Sequence, residues 1–158
     1  MVNYDKDSWN TPMDVVERVR AVFQGQIDLD PCSNEAAQIV IRARTYYTLG
    51  NDGLTHEWFG RVWLNPPFSN PAPWVDNLLG SRFASAITLT NNCTETTWCQ
   101  RLMHQATAIL LPHKRVRFWH AERSGAGARQ GQIICYFGDR PDLFRLYFGS
   151  MGSLWVRS

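Results

Sequence analysis

The chain has 158 residues, 44% of them hydrophobic and 19% charged, which fits one globular domain with one core and excludes disordered and collagen-like chains. No apolar run approaches the roughly 20 residues that a membrane span needs, and the polar, acidic first residues exclude a secretory signal, so we expect a cytoplasmic protein with no membrane partner. The net charge of +2 is uneven: residues 1–60 carry −4 and residues 61–158 carry +6, so a polyanion would meet the second half.

The first half of the chain predicts helices alternating with strands. Residues 1–8 are expected to be a flexible tail of the single domain 1–158. Thr11 and Pro12 then suit the cap and first turn of a helix ending near Gly25. A short strand over residues 26–30, a helix over 35–44, a turn at 51–53 and a buried strand over 61–64 follow.

The second half continues this alternation. We predict helices over residues 73–79, 94–105 and 142–148, and strands over 84–90, 108–111 and 154–156. Residues 116–119 and 132–137 are predicted to pair as an antiparallel hairpin around a Gly-rich loop. The whole pattern indicates an α/β fold whose central sheet is parallel, and such sheets bind ligands beyond the carboxyl ends of their strands.

The sharpest motif is Asn65-Pro66-Pro67-Phe68, which directly follows the buried strand. An exocyclic amine such as that of adenine is a poor nucleophile, because its lone pair is delocalised into the ring. The Asn65 side-chain oxygen and the Pro66 carbonyl, held rigid by Pro67, are two acceptors for its N–H bonds, and Phe68 can stack on the base. The alternative is a Pro-rich turn after a strand, but the aromatic fourth residue and the α/β context favour catalysis.

Other motifs are weaker by themselves. Asp30-Pro31-Cys32 ends a predicted strand, where Asp30 could accept from a cofactor's amino group or ribose, although an Asp-Pro turn explains it equally well and the loop lacks a glycine. Asp52 lies in a turn that is either a cofactor contact or only a tight turn. The four histidines have no ligand spacing and the four cysteines form no Cys-x-x-Cys pair, so we predict no metal site and free thiols.

A cluster of basic residues occupies the predicted hairpin and its loop. On the first strand, alternation puts Val116 and Phe118 toward the core and the neighbouring arginines on the opposite face. We predict that this cluster contacts DNA phosphates, with pairing of Arg117 to Asp139 as the structural alternative. Its members are Lys114, Arg115, Arg117, Arg123 and Arg129.

Taken in order, these motifs resemble the phage-type Dam-like DNA adenine methyltransferases over roughly residues 8–150. The shared pattern consists of Trp9-x-Thr11-Pro12, Leu29-Asp30-Pro31-Cys32, Asp52-Gly53-Leu54 with Trp58, Asn65-Pro66-Pro67-Phe68, Thr94-x-Thr96-x-Trp98 and Arg115-x-Arg117-Phe118. A tyrosine is frequent at the position of Phe68, which keeps the ring and loses the hydroxyl.

The resemblance implies a class I (Rossmann-like) methyltransferase sheet, with S-adenosylmethionine as the donor and adenine in double-stranded DNA as the acceptor. It implies catalysis at Asn65, Pro66, Pro67 and Phe68, and donor binding around Thr11, Pro12, Asp30, Pro31, Cys32 and Asp52. Because only about 30 residues separate the Asp30 and Asn65 motifs, we expect a shortened sheet.

Two rival functions remain open from the sequence. The Asn-Pro-Pro-aromatic motif also suits methylation of an RNA base or a protein glutamine, and the missing loop glycine is compatible with an inactive DNA-binding accessory of the same fold.

Overall fold

A seven-stranded mixed sheet forms the centre of the protein in the computed structural model, which describes residues 8–123 and 129–158. The predicted tail at 1–8 therefore falls, except for Ser8, outside the described residues. The helices are α1 (Met13–Val22), α2 (Glu35–Ile41), α3 (Ala72–Gly80), α4 (Thr97–Gln105) and α5 (Pro141–Phe148). The strands are β1 (Leu29–Asp30), β2 (Thr45–Tyr46), β3 (Arg61–Leu64), β4 (Ser85–Asn91), β5 (Ala108–Pro112), β6 (Gln132–Phe137) and β7 (Gly152–Val156).

The strands lie in the order β2-β1-β3-β4-β6-β5-β7. The first four are parallel, whereas β6 is antiparallel to both β4 and β5, and β7 is antiparallel to β5. This is a Rossmann-like arrangement with antiparallel strands at its C-terminal end, and the predicted fold class is confirmed. The expected shortening is visible between the two site motifs, where β1 and β2 contribute only two residues each.

Hydrophobic periodicity explains how the helices cover the sheet. In α1 the buried residues are Val15, Val16, Val19 and Val22, which recur at helical spacing and share one core cluster with Trp63 of β3. Leu78 of α3 and Leu102 of α4 belong to a second buried cluster. Among the described residues, no helix is both long enough and apolar enough to cross a membrane.

The predicted hairpin between residues 116–119 and 132–137 is wrong. Residues 132–137 do form β6, but its partners are β4 and β5. Residues 116–119 form only an isolated antiparallel bridge between Trp119 and Asn10. Local alternation could not reveal this, because the partner of a strand is decided by long-range packing. The predicted burial of Val116 and Phe118 is nevertheless confirmed, at 6% and 3% exposure.

Candidate active site

The two sharpest sequence motifs follow neighbouring parallel strands at the same edge of the sheet. β1 ends at Asp30 and β3 ends at Leu64, directly before Asn65, and Leu29 is paired in register with Val62. A pocket opens at this edge, where a parallel sheet is expected to bind ligands. Trp63 and Pro67 are among its lining residues, and its polar lining comes from Ser8, Asn10, Thr11, Asp30, Cys32, Ser33, Asn34 and Asn65.

The Asn65 carboxamide is held with its oxygen available. Its Nδ2 donates to the Thr11 hydroxyl oxygen at 3.2 Å. Its Oδ1 is buried and accepts no hydrogen bond from the residues that the structure describes. A buried acceptor without a partner is costly in a folded protein and marks a site where a ligand donor can supply the bond. Asn65, which lines the pocket, thus carries an unpartnered acceptor of the kind that the proposed amine chemistry needs.

Thr11 does not act as the cap that the sequence suggested. Pro12 occupies the cap position of α1, with no side-chain cap hydrogen bond, while the Thr11 hydroxyl is used by Asn65. The Thr11 carbonyl accepts from Trp119 Nε1 at 3.0 Å. Two backbone hydrogen bonds between Asn10 and Trp119 add to this contact. The N-terminal segment is therefore tied to the chain beyond β5, and it positions Asn65 from one side.

Asp30 is a buried carboxyl group in a polar network. Its Oδ2 accepts from Gln38 Nε2 at 2.9 Å, and its Oδ1 accepts a longer bond from the Cys32 N–H at 3.4 Å. Gln38 Nε2 also donates to the Ser33 hydroxyl at 2.8 Å. Desolvation outweighs these hydrogen bonds and raises the pKa of Asp30 from 3.8 to about 7. Asp30 can therefore change its charge near neutral pH.

This shift predicts how stability depends on pH. Below about pH 4, Asp30 is protonated in the folded and unfolded chains alike; between about 4 and 7 only the unfolded chain ionises, because the folded pKa is raised. The contribution of the protonated Asp30 carboxyl to the free energy of unfolding is therefore complete below pH 4 and is lost as the pH rises to about 7. We expect the melting temperature of the wild type to fall across this window.

Asp30→Asn is the matched variant, because it cannot ionise. Melting curves at closely spaced pH values should show a flatter profile for this variant than for the wild type. Parallel profiles for the two proteins would contradict the assigned pKa.

A second pocket adjoins the first and shares Cys32, Ser33, Leu49 and Pro67 with it. Its other lining residues are mainly aromatic or apolar, with Asp52 as the acidic member: Pro31, Tyr47, Thr48, Asp52, Leu54, Asn70, Pro73 and Trp74. The two pockets together form an elongated cleft with a polar part and an apolar part.

Asp52 and Gly53 bring the turn before β3 against the end of β1. The Asp52 carboxylate accepts from the Leu54 N–H at 3.1 Å, and its backbone has a φ of +32°, which is unusual for a residue with a side chain. A Cβ at Gly53 would lie 1.9 Å from the Pro31 carbonyl oxygen, so only glycine permits this approach. Trp58 Nε1 donates to the Gly53 carbonyl at 2.8 Å and fixes the turn.

The remaining predicted catalytic residues surround Asn65. Pro66 and Pro67 are buried and Phe68 is half-buried. The Phe68 ring packs edge-on against Phe118, with centroids 5.2 Å apart. An aromatic ring therefore stands beside the Asn-Pro-Pro turn, and its edge contact with Phe118 sets its orientation.

A broad groove, separate from the pocket, is lined by three of the five basic residues that were predicted to form a cluster. Lys114, Arg115 and Arg117 line it and are exposed, and Arg18 and His113 join them from α1 and the end of β5. No ion pair joins Arg117 to Asp139 in the described part of the chain. Arg123 and Arg129 are exposed beside residues 124–128, which lie outside the described residues and include most of the predicted Gly-rich loop.

Several residues of the cleft and groove were not singled out from the sequence. Arg18 reaches the groove from α1, and Pro12, assigned to the donor by resemblance, lines this groove instead of the polar pocket. Trp63 and Asn65 share one side of β3, since side chains alternate along a strand, so alternation could have identified Trp63. The positions of Arg18 in the groove and of Asn10 in the pocket depend on long-range packing, so no local sequence pattern indicates them.

Comparison with known proteins shows the family to which the chain is similar. A family model described as DNA N-6-adenine-methyltransferase (Dam) matches residues 1–141. A DNA N-6-adenine-methyltransferase of Haemophilus phage HP1 (strain HP1c1) is 30% identical over 123 residues, which cover 75% of this chain and 69% of that protein. A protein of the same name from Escherichia phage T1 is 32% identical over 73 residues, covering 44% of this chain and 29% of that relative.

Proposed function

The chain belongs to the DNA N-6-adenine-methyltransferase (Dam) family, and we propose that the cleft at the edge of its sheet is the methyl-transfer site. The activity of the chain is transfer of a methyl group to the N-6 amine of adenine in DNA. The observation that carries the site assignment is the buried, unpartnered Oδ1 of Asn65 in a pocket that also contains Asp30. Membership of this family favours DNA adenine methylation over the RNA, glutamine and accessory alternatives, which the chemistry of the Asn65 oxygen alone would also allow.

We propose S-adenosylmethionine as the methyl donor. When bound, it supplies an activated methyl group on a sulfonium, so that no strong general base is required. The elongated cleft suits such a molecule, because its polar part can hold the amino-acid end and its aromatic part the nucleoside. Asp30 accepts from the donor's charged or hydroxyl groups, Asp52 borders the nucleoside part, and Pro31 and Cys32 shape the wall between them.

The adenine amine is activated by acceptors at the Asn-Pro-Pro turn. Asn65 Oδ1 and the Pro66 carbonyl accept from the two N–H bonds, which draws the nitrogen lone pair out of the ring toward the methyl group. A bound donor would supply the methyl group to this nitrogen, the Asn65 and Pro66 oxygens would hold the amine protons meanwhile, and one of these protons would then pass to solvent. Phe68 stacks on the base, and Thr11 holds the Asn65 amide in the required orientation. Catalysis thus consists of positioning and charge stabilisation.

We propose that double-stranded DNA lies along the basic groove. Lys114, Arg115, Arg117 and Arg18 neutralise backbone phosphates, and the exposed Arg123 and Arg129 extend this surface. The target adenine must leave the base stack to reach Asn65, at a cost of a few kcal/mol. Because the substrate is DNA and the relatives are phage proteins, the cytoplasm of a bacterial host is the proposed place of action.

The groove assignment predicts a change in the salt dependence of DNA binding. Each lost phosphate contact should reduce the slope of log affinity against log salt by about 0.9. We expect this reduction for Arg117→Ala and for Arg129→Ala, with affinity lowered similarly for all sequences, since phosphates carry no base identity. Titrations of labelled DNA at several salt concentrations measure the slope.

Arg101→Ala is the control, because Arg101 is paired with Asp76 on α3 and does not line the groove. Its slope should match the wild type. If Arg117→Ala lowers the melting temperature but neither Arg117→Ala nor Arg129→Ala changes the salt dependence of DNA affinity, the groove is not the phosphate-binding surface.

The activity itself is tested by nucleoside analysis. DNA from cells that express the protein is digested to nucleosides and analysed by mass for N-6-methyladenine, with tritiated-donor transfer to DNA, RNA and protein in parallel. Label in DNA alone supports the proposal. Label in RNA or protein, or no methyladenine above the level of cells without the protein, would refute it.

A further inference from the structure

A second residue that lines the same pocket as Asn65 also carries an unpartnered polar atom. Trp63 is fully buried at 0% exposure, and its Nε1 has no hydrogen-bond partner among the described residues. Trp63 is nevertheless one of the residues that line the polar pocket. An indole N–H can only donate, so its natural partner is an acceptor atom of a ligand in that pocket. Buried tryptophan N–H groups usually have such a partner, as Trp58 has in the Gly53 carbonyl.

The polar groups around Trp63 indicate the chemistry of that acceptor. The Asn10 side-chain oxygen accepts from Asn34 Nδ2 at 2.8 Å, so the group that Asn10 can offer a ligand is its NH2. Trp63 and Asn10 can thus each offer a neutral donor in a pocket whose one acidic lining residue is Asp30. A carboxylate has two acceptor oxygens for the donors, and an ammonium suits the acid. A free α-amino acid group carries both.

We infer that the Trp63 indole N–H donates to the carboxylate of the methyl donor's amino-acid part, which makes Trp63 a donor-binding residue. This inference rests on the proposed use of S-adenosylmethionine. The alternative ligand of the N–H would be the nucleoside part of the donor. The apolar and aromatic lining of the second pocket, formed in part by Tyr47, Leu54 and Trp74, favours placing the nucleoside there.

Nuclear magnetic resonance of the intact chain tests the contact without altering the protein. Labelling with 15N-tryptophan gives signals for seven indoles, and Trp63→Phe identifies the one from Trp63. Titration with S-adenosylhomocysteine should move the Trp63 indole proton downfield, as expected for a bond to a charged acceptor. 5′-Methylthioadenosine has the nucleoside but no amino acid, and it should leave the signal in place.

Calorimetry on Trp63→Phe supplies the second measurement. We expect the affinity for S-adenosylhomocysteine to fall about tenfold, and the affinity for 5′-methylthioadenosine to stay within about twofold of the wild type. Trp155→Phe is the matched control, because Trp155 is exposed on β7 and lines neither pocket of the cleft. Both affinities of the control should equal those of the wild type.

The outcomes separate this inference from the proposed function. Binding of S-adenosylhomocysteine by the wild type without movement of the Trp63 signal, or equal movement with 5′-methylthioadenosine, would overturn the role of Trp63 alone. Failure of the wild type to bind S-adenosylhomocysteine would overturn the proposed donor as well. If Trp63→Phe does not fold, the wild-type titration decides, with the Trp63 signal assigned through backbone experiments.

Discussion

Asn65→Ala is expected to reduce adenine methylation about 100- to 1,000-fold, the effect of removing one preorganised group that stabilises developing charge. The unpartnered Oδ1 of Asn65 is the acceptor for the amine, and no other side-chain oxygen of the Asn-Pro-Pro-Phe turn can replace it. Donor affinity should stay close to that of the wild type, because this atom is assigned to adenine. Single-turnover methylation and donor calorimetry measure the two quantities.

Asn77→Ala is the matched control for this variant. Asn77 lies on α3 and lines neither pocket of the cleft, so the same change of side chain there should leave methylation nearly intact. Thr11→Val should give an intermediate loss, because it removes the oxygen that orients the Asn65 amide. Retention of more than half of the activity by Asn65→Ala would disprove the catalytic assignment.

Asp30→Ala is expected to weaken donor binding by about 1.5–3 kcal/mol, or roughly 10- to 150-fold, the scale of a hydrogen bond to a charged group. The Asp30 carboxyl is buried in the pocket, and its pKa of about 7 means that it ionises near neutral pH. The wild type should accordingly bind the cationic donor more tightly at pH 8 than at pH 6. Calorimetry at both pH values checks both expectations.

The control for the second variant is Asp28→Ala. Asp28 precedes β1 and is paired with Arg61 at 2.9 Å, which holds the pKa of Asp28 below its usual value. Loss of this ion pair should lower the melting temperature and leave the donor affinity unchanged. A donor affinity that Asp30→Ala does not alter would move the donor away from the Asp30-Pro31-Cys32 loop.

Most of the elements were predictable because their causes are local. Val15, Val16, Val19 and Val22 repeat at helical spacing and are all buried in α1, and the apolar run after Arg61 forms β3. Boundaries moved by a few residues: the predicted strand over 26–30 contracts to Leu29–Asp30. The helix over 94–105 begins at Thr97, with the Thr96 hydroxyl as cap. The ends of helices fray, so the exact boundaries of an element are its least predictable feature.

The sequence by itself determined the chemistry of the site: an amide acceptor in a rigid Pro-Pro turn after one strand and a carboxyl group after another. Neighbouring parallel strands have their carboxyl ends at the same edge of the sheet, so these two motifs were expected to lie close together if their strands were neighbours. Burial also followed from alternation at Val116 and Phe118. These features depend on residue type and short-range periodicity, which a single sequence contains.

Only the tertiary structure decided which atoms meet. The Thr11 hydroxyl accepts from Asn65, 54 residues away, instead of capping α1. Residues 116–119 do not form a strand beside β6, and Trp119 forms an isolated bridge with Asn10 instead. The partners of β6 are β4 and β5. Such contacts follow from satisfying buried polar groups and filling one core at once. That global condition leaves Asn65 Oδ1 and Trp63 Nε1 unpartnered in two residues that line one pocket, which no local sequence pattern predicts.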